Sequence, residues 1–221
     1  MKRTILEIEG MDIGHKDRIL FSDVHLEIHE GDCIMLCGAN GSGKTTFLKL
    51  LAEHSKGRCE ACQVPSRIPK NKGFTVREFI RISCFRQTDM AGKLSDDDEK
   101  TLEASLQETG IHHLADRDLS TLSDGEFQKA GIAAALVRRA DLLMLDEPTA
   151  FLDAENRISV LQTLRRLCDR EKAPAVIFST HDLHDGLEAC TKVVALGADG
   201  IFRTAGNEER KAAIDSIFRK N

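Results

Sequence analysis

A glycine-rich segment carries the residues best suited to chemistry on phosphate. It comprises Gly38, Ala39, Asn40, Gly41, Ser42, Gly43, Lys44 and Thr45, with Thr46 next in line, and it fits the pattern GxxxxGK[ST] at every fixed position. Small residues let backbone N–H groups turn towards a β-phosphate, and a helix starting there adds partial positive charge. Lys44 can reach β- and γ-phosphate oxygens, and the Thr45 hydroxyl can bind Mg²⁺. An apolar strand pattern precedes the segment and a helical pattern follows it, so the sequence predicts a nucleoside triphosphate site rather than a chance glycine turn.

A second candidate site is the pair of carboxylates Asp146 and Glu147, which directly follows the apolar run from Leu142 to Leu145. Open α/β sheets place their ligand chemistry at the carboxyl ends of strands. Asp146 suits the shell of a Mg²⁺ ion, usually through water, and Glu147 suits polarising the water that attacks a γ-phosphate. Alone, the pair would be better explained as solvated acids in a turn. With Lys44 upstream, it predicts hydrolysis of the nucleotide.

The elements that position these residues follow from the apolar periodicity. The predicted strands are 4–8, 24–29, 32–37, 142–145, 175–179 and 192–196, and the predicted helices are 44–54, 75–82, about 96–109, 127–139, one through 158–167 and about 208–218. We expect Ser95 to cap the helix at 96–109. Strand–helix alternation on both sides of a helical block implies an α/β core with an inserted helical lobe. We therefore expect a single domain over 1–221, with 1–70 and 136–221 as its core and 71–135 as the lobe.

Composition and charge narrow the classes of function. The 221 residues have a formal net charge of −5, so no basic excess is available, and we expect no nucleic-acid partner. No apolar run approaches the roughly 20 residues of a membrane-spanning helix, and the N-terminus lacks the apolar core of a signal peptide. The seven cysteines are scattered and odd in number, which favours reduced thiols, including Cys59 and Cys62. These features predict a cytosolic protein.

The segment Leu122 to Glu126 reads LSDGE and precedes a predicted helix. Ser123 and Glu126 form the S-x-x-E pattern of a capping box, which alone would explain them. The segment lies between the glycine-rich segment and the paired carboxylates, and there it resembles the signature of ATP-binding cassette (ABC) proteins, usually LSGGQ. The end of 146–153 (DEPTAFLD) resembles that family's D-loop, and 179–182 (STHD) resembles its switch-histidine motif. The motifs occur in the family's order over nearly the whole chain.

This resemblance implies a P-loop NTPase fold, with a RecA-like parallel-sheet core, a reduced antiparallel β subdomain and an inserted α-helical subdomain. It implies ATP and Mg²⁺ as ligands, and a homodimer or paired cassette that forms on ATP binding. Each ATP would lie between the phosphate loop of one chain and the signature of the other. Ser123 and the N–H groups of Gly125 and Glu126 open a helix and are compatible with binding a γ-phosphate. His181 would sense that phosphate, and the catalytic residues would be Glu147, His181 and Lys44.

The sequence departs from the family pattern in three places. The segment after the phosphate loop is short. The family has a glutamine here, in its Q-loop, which is expected to contact the metal. In this chain the corresponding position is Ser66 by counting, and Gln63 is the nearest residue with a side-chain amide. The chain has no Tyr or Trp, and His15 lies nearest the expected place of the aromatic residue that stacks on adenine. Asp124 and Glu126 replace glycine and glutamine of the signature, which brings negative charge near phosphate.

A narrower resemblance concerns the transported substrate. Three parts of the sequence resemble ATP-binding subunits of importers for iron(III)-siderophores, haem and vitamin B12. They are the segment 73–83 (GFTVREFIRIS), the short motifs that follow it up to Arg117, and the segment PTAFLD. This implies a separate polytopic membrane permease as partner and a peripheral location on the cytoplasmic face of the inner or plasma membrane. An ABC-type ATPase that acts on ribosomes or DNA without a membrane partner is the alternative. A small-molecule kinase would leave the signature and His181 unexplained.

Overall fold

A computed structural model describes residues 2–15, 18–64, 70, 72–83, 94–197 and 200–218. The described strands are β1 (Thr4–His15), β2 (Arg18–His29), β3 (Cys33–Gly38), β4 (Ala61–Val64), β5 (Leu142–Leu145), β6 (Ala175–Ser179), β7 (Lys192–Leu196) and β8 (Phe202–Gly206). The described helices are α1 (Lys44–Ser55), α2 (Val76–Ser83), α3 (Asp96–Glu108), α4 (Asp124–Leu136), α5 (Ala154–Cys168), α6 (Leu183–Ala189) and α7 (Arg210–Phe218). The sequence patterns do not predict β4, β8 or α6, because these segments mix polar and apolar residues without a clear period, unlike the wholly apolar β5.

The central sheet brings the two predicted sites together at one edge. Its strands are ordered β4-β5-β6-β3-β7-β8, and all neighbouring pairs are parallel except β7 and β8. β3, β5 and β6 are buried along their whole length, as apolar strands covered on both faces are. Because parallel strands end at the same edge, Gly38 at the end of β3, Asp146 after β5 and Ser179 at the end of β6 become neighbours.

A smaller antiparallel sheet consists of β1 and β2. Each strand has 12 residues, whereas the sequence predicts only 4–8 and 24–29. The predictions stop short because the pairing shifts register between Ile8 and Met11 and again between Met11 and Ile13. Such irregularities break the two-residue alternation on which strand prediction depends.

The helices α2, α3 and α4 pack around an apolar cluster of their own, which includes Ile80 and Leu102. Ser95 caps α3 as predicted, since its side chain accepts a hydrogen bond from the backbone N–H of Asp98. The boundaries of the lobe at 71–135 stay a prediction. Within the described residues, every helix falls short of the length and apolarity that a membrane span requires.

Candidate functional site

The glycine-rich loop connects β3 directly to α1. Gly38 has no room for a side chain, because an added Cβ would lie 2.6 Å from the carbonyl oxygen of Leu196. Gly43 precedes the first residue of α1 with a φ of 98°, a conformation that favours glycine. The loop therefore needs glycine at these two positions for steric reasons, and it ends where the N–H groups of a helix begin.

Lys44 lies across this loop with its charge directed at backbone oxygens. Its side chain is buried, and Nζ donates hydrogen bonds to the carbonyl oxygens of Gly38 at 3.0 Å and Ala39 at 3.3 Å. Burial lowers the pKa of the ammonium, and the carboxylates of Glu147 and Asp146 act in the opposite direction. A buried cation whose hydrogen bonds go to neutral carbonyls is well placed to exchange them for stronger bonds to an anion.

Ser42 supplies an independent indication that the loop fits a polar ligand. Its Oγ atom is buried and has no hydrogen-bond partner within the described part of the chain. Buried hydroxyl groups in native proteins are nearly always hydrogen-bonded, because leaving one unsatisfied is costly. A phosphate oxygen in the loop would satisfy this hydroxyl, so the residues present fit the expected triphosphate.

Three side chains form a continuous hydrogen-bonded chain: Thr45 of α1, Asp146 directly after β5, and Ser179 at the end of β6. Thr45 donates from Oγ1 to Oδ2 of Asp146 at 2.8 Å, and Ser179 donates from Oγ to Oδ1 of the same carboxylate at 2.9 Å. Ser179 is fully buried. Thr45 and Asp146 are the pair predicted to hold Mg²⁺, and their hydroxyl and carboxylate oxygens are ligands that this ion accepts. Sequence analysis missed Ser179, although a polar residue ending a buried apolar strand was a usable signal.

Glu147 is held by two contacts beside this chain. Its backbone N–H donates to Oγ of Ser179 at 2.7 Å, and its Oε1 atom lies 2.6 Å from Nε2 of His181. Glu147 has a φ of 50°, an uncommon conformation for a residue other than glycine, which occurs preferentially at functional sites. We call Thr45, Asp146, Glu147, Ser179 and His181 the sheet-edge cluster. The fold thus joins two motifs, at 146–147 and 179–182, that the sequence shows only as separate segments.

The signature segment forms the N-terminus of α4. Ser123 and Glu126 form the predicted capping box: the Ser123 N–H donates to Oε2 of Glu126 at 2.8 Å, and the Glu126 N–H donates to Oγ of Ser123 at 3.3 Å. The bond from the Ser123 backbone lowers the pKa of Glu126. The N–H of Glu126, expected to face phosphate, is therefore shared with the cap. The cap also explains why the helix begins three residues before the predicted 127.

Gly125 is packed against the start of α5. A Cβ added to Gly125 would lie 2.5 Å from Oδ1 of Asn156, whose amide donates to Asp153 at 2.9 Å. Within the described residues, no hydrogen bond or ion pair joins the segment 123–126 to the phosphate loop.

The remaining predicted residues are less well placed. Gln63 lies in β4 opposite Met144, two positions before Asp146, and no described hydrogen bond joins it to Thr45 or Asp146. Ser66 lies outside the described residues. His15 ends β1, but its side chain is outside what the structure describes, so its role stays a prediction.

Comparisons with known proteins agree with the motifs. The family model described as ABC transporter matches residues 21–150, more than half of the chain. The iron(3+)-hydroxamate import ATP-binding protein FhuC of Bacillus subtilis (strain 168) is 30% identical over 211 residues, covering 86% of this chain and 78% of the relative. The cobalamin import ATP-binding protein BtuD of Halobacterium salinarum (strain ATCC 29341 / DSM 671 / R1) is 30% identical over 232 residues, and the match covers 96% of this chain and 57% of that relative.

Structural comparison identifies the fold. A metal-chelate type ABC transporter solved in an inward-facing conformation aligns with a TM-score of 0.83 at 24% identity, covering 98% of this chain and 89% of that chain. This likeness confirms the predicted fold class, an α/β P-loop NTPase fold. The matched family model and the 30% identity to the ATP-binding protein FhuC show that the chain belongs to the ABC transporter family, as an ATP-binding cassette.

Proposed function

We propose that this chain is the ATP-hydrolysing subunit of a membrane importer, and that the sheet-edge cluster is its catalytic centre. The observation that carries the proposal is the direct contact of His181 with Glu147 beside the chain Thr45–Asp146–Ser179. It places a carboxylate oriented by a histidine at the edge where a buried lysine lies across a phosphate loop. This arrangement suits attack of water on a terminal phosphate.

Each residue has a role that its contacts support. Lys44 and the loop 38–46 bind the β- and γ-phosphates. Thr45 and Asp146 would hold Mg²⁺, which would neutralise phosphate charge. Ser179 orients both Asp146 and the backbone of Glu147. Glu147 polarises the attacking water. His181 orients the Glu147 side chain through the contact at 2.6 Å, and we propose that it also senses the γ-phosphate.

The site is completed by a second cassette. Within one chain the signature segment 123–126 has no described bond to the phosphate loop, and the N-terminus of α4 carries the donors and partial positive charge that suit a phosphate. We propose that Ser123 and the N–H of Gly125, with that of Glu126, bind the γ-phosphate held by the other copy. Three further predictions remain parts of this proposal. They are the division into a core (1–70 and 136–221) and a signature-bearing lobe (71–135), a Mg²⁺ contact from Gln63 or Ser66, and adenine stacking on His15.

The partner in the membrane is a separate polytopic permease, with the cassette on the cytoplasmic face. The relatives reported above are named as import proteins for iron(3+)-hydroxamate and cobalamin. We therefore assign an iron chelate, haem or a cobalamin as the class of transported substrate. The alternative, an ATPase acting on ribosomes or DNA, is not favoured by these names or by the net charge of −5.

The decisive experiment replaces Glu147 by Gln, which keeps the shape and removes the base. We expect ATP hydrolysis to fall at least about 100-fold, while ATP binding persists and an ATP-bound dimer accumulates in size-exclusion chromatography. Glu171→Gln is the matched control, because it removes the same charge from an exposed loop position. Unchanged hydrolysis in the Glu147 variant would contradict the proposed mechanism.

A further inference from the structure

A carboxylate occupies the first position of the signature helix. Asp124 is the first residue of α4, and its side chain is 68% exposed. This is the place where, on the proposed function, the triphosphate of a second copy arrives with its own negative charge. An unpaired carboxylate there would repel the ligand that the helix N-terminus is expected to attract.

Lys70 meets this carboxylate from the segment that follows β4. Its Nζ atom donates to Oδ1 of Asp124 at 2.6 Å and to the carbonyl oxygen of Leu122 at 3.0 Å. The same ammonium lies 5.4 Å from the ring centroid of Phe127, one turn along α4. Three contacts from one lysine therefore hold its charge at the start of the signature helix.

The position of this ion pair links it to ligand binding more than to stability. The Lys70 side chain is 31% exposed, and pairs this accessible contribute little to the free energy of unfolding. The two residues line an open pocket of about 330 Å³ together with Ser123, Phe151 and Asn156. The pair thus lies on the surface that the proposed second nucleotide would approach.

The other acid of the signature is accounted for within α4. The carboxylate of Glu126 accepts the hydrogen bond from the Ser123 N–H, which keeps it at the cap. Asp124 has no equivalent bond in its own helix among the described contacts, and its partner comes from a residue 54 positions earlier.

We infer that Lys70 is a positioning residue for the composite ATP site. It neutralises Asp124, so that Ser123 and the first N–H groups of α4 face the incoming γ-phosphate without a net negative charge. The inference rests on the proposed function, because it requires that a nucleotide held by a second copy reach the signature.

The test measures ATP-driven dimerisation in the Glu147→Gln background, with Mg²⁺-ATP as the probe. Lys70→Met should weaken dimerisation about tenfold, with little change in melting temperature or in ATP binding to the monomer. The loss should shrink at high salt, because screening weakens repulsion between exposed charges. Lys56→Met is the matched control, since Lys56 also forms an exposed ion pair at 2.6 Å, with Glu53 at the end of α1.

A double-mutant cycle with Asp124→Asn separates neutralisation from other roles. If Lys70 acts on the carboxylate, Lys70→Met should cost about threefold or less once Asp124 is replaced by Asn. An equal loss in both backgrounds would show that Lys70 contacts phosphate itself or only anchors Leu122, and either result would overturn the inference. Full dimerisation of Lys70→Met would overturn it too. Failure of the parent Glu147→Gln protein to dimerise with ATP would instead contradict the proposed function, on which this inference depends.

Discussion

The two halves of the proposed ATP site are built in different ways. The sheet-edge cluster grows from the ends of buried parallel strands, and its polar groups bond to one another through the buried Ser179 hydroxyl. The signature segment lies at the exposed start of a helix. It is held by a capping box, the exposed ion pair of Lys70 with Asp124, and the contact of Gly125 with Asn156.

This difference separates chemistry from recognition. A catalytic base needs fixed geometry, and buried hydrogen bonds provide it because a missing partner is costly there. A surface that meets a second chain can accept changes, because exposed charges are worth little individually and can be offset by neighbours. On this view, the acids of the signature are tolerated, whereas equivalent changes at the sheet edge are not.

The largest effect is expected at Lys44, the buried cation of the sheet-edge half. Lys44→Ala removes hydrogen bonds between a charged donor and phosphate, and we expect ATP affinity to fall by about a thousandfold. Lys49→Ala removes an exposed lysine from the same helix and serves as the control. Isothermal titration calorimetry on both variants measures the difference. Comparable ATP affinity in the Lys44 and Lys49 variants would show that Lys44 does not contribute to ATP binding.

Ser179 tests whether the buried network matters for catalysis. Ser179→Ala leaves the Glu147 N–H and one Asp146 oxygen without their partner, and we expect kcat for ATP hydrolysis to fall about thirtyfold, with ATP binding largely retained. Ser105→Ala is the control, because Ser105 is another buried serine whose hydroxyl bonds to a helix carbonyl away from the site. Steady-state kinetics of ATP hydrolysis measures kcat for both variants. Equal kcat values would show that Ser179 has no role in catalysis.

Sequence reasoning succeeded where the signal is contiguous. The phosphate loop occupies one unbroken segment between β3 and α1, and the capping box at Ser123 follows from two residues one turn apart. The central strands β5, β6 and β7 have the bounds predicted from their apolar runs. In each case the interactions that fix the structure are local, so the sequence displays them directly.

Prediction failed where the partners are distant in sequence. Ser179 acquires its role only because β5 and β6 are neighbours in the sheet. The pairing of Lys70 with Asp124 joins two residues that are 54 positions apart in the sequence. The bulged strands of the β1–β2 hairpin have no regular alternation to read. These features depend on topology and register, which a single sequence does not specify.

A smaller effect is expected where capping and ligand binding coincide. Ser95 and Ser123 both cap helices through the backbone N–H three residues later. Replacing either by Ala should cost about 1 kcal/mol of stability, measured by urea unfolding. Only Ser123→Ala should also weaken ATP-driven dimerisation, by about tenfold, because on the proposed function the Ser123 hydroxyl binds the nucleotide of the second copy. Equal dimerisation of the two variants would show that Ser123 only caps the helix and does not bind the nucleotide.

The smallest effect concerns the hydroxyl of Ser42, which is unpaired among the described residues. Its removal should leave stability unchanged or raise it, whereas removing a buried polar group usually lowers stability. Ser42→Ala removes a buried group that has no partner in the described chain, so stability should be unchanged or rise by up to about 1 kcal/mol. ATP binding should weaken about fivefold, the value of one hydrogen bond to phosphate. Ser55→Ala is the comparison, since Ser55 is also buried but its hydroxyl is bonded to a carbonyl of its own helix. Its loss should lower stability without affecting ATP affinity. Loss of stability in Ser42→Ala with unchanged affinity would mean that the hydroxyl is structural, and the loop would lose its independent evidence for a phosphate ligand.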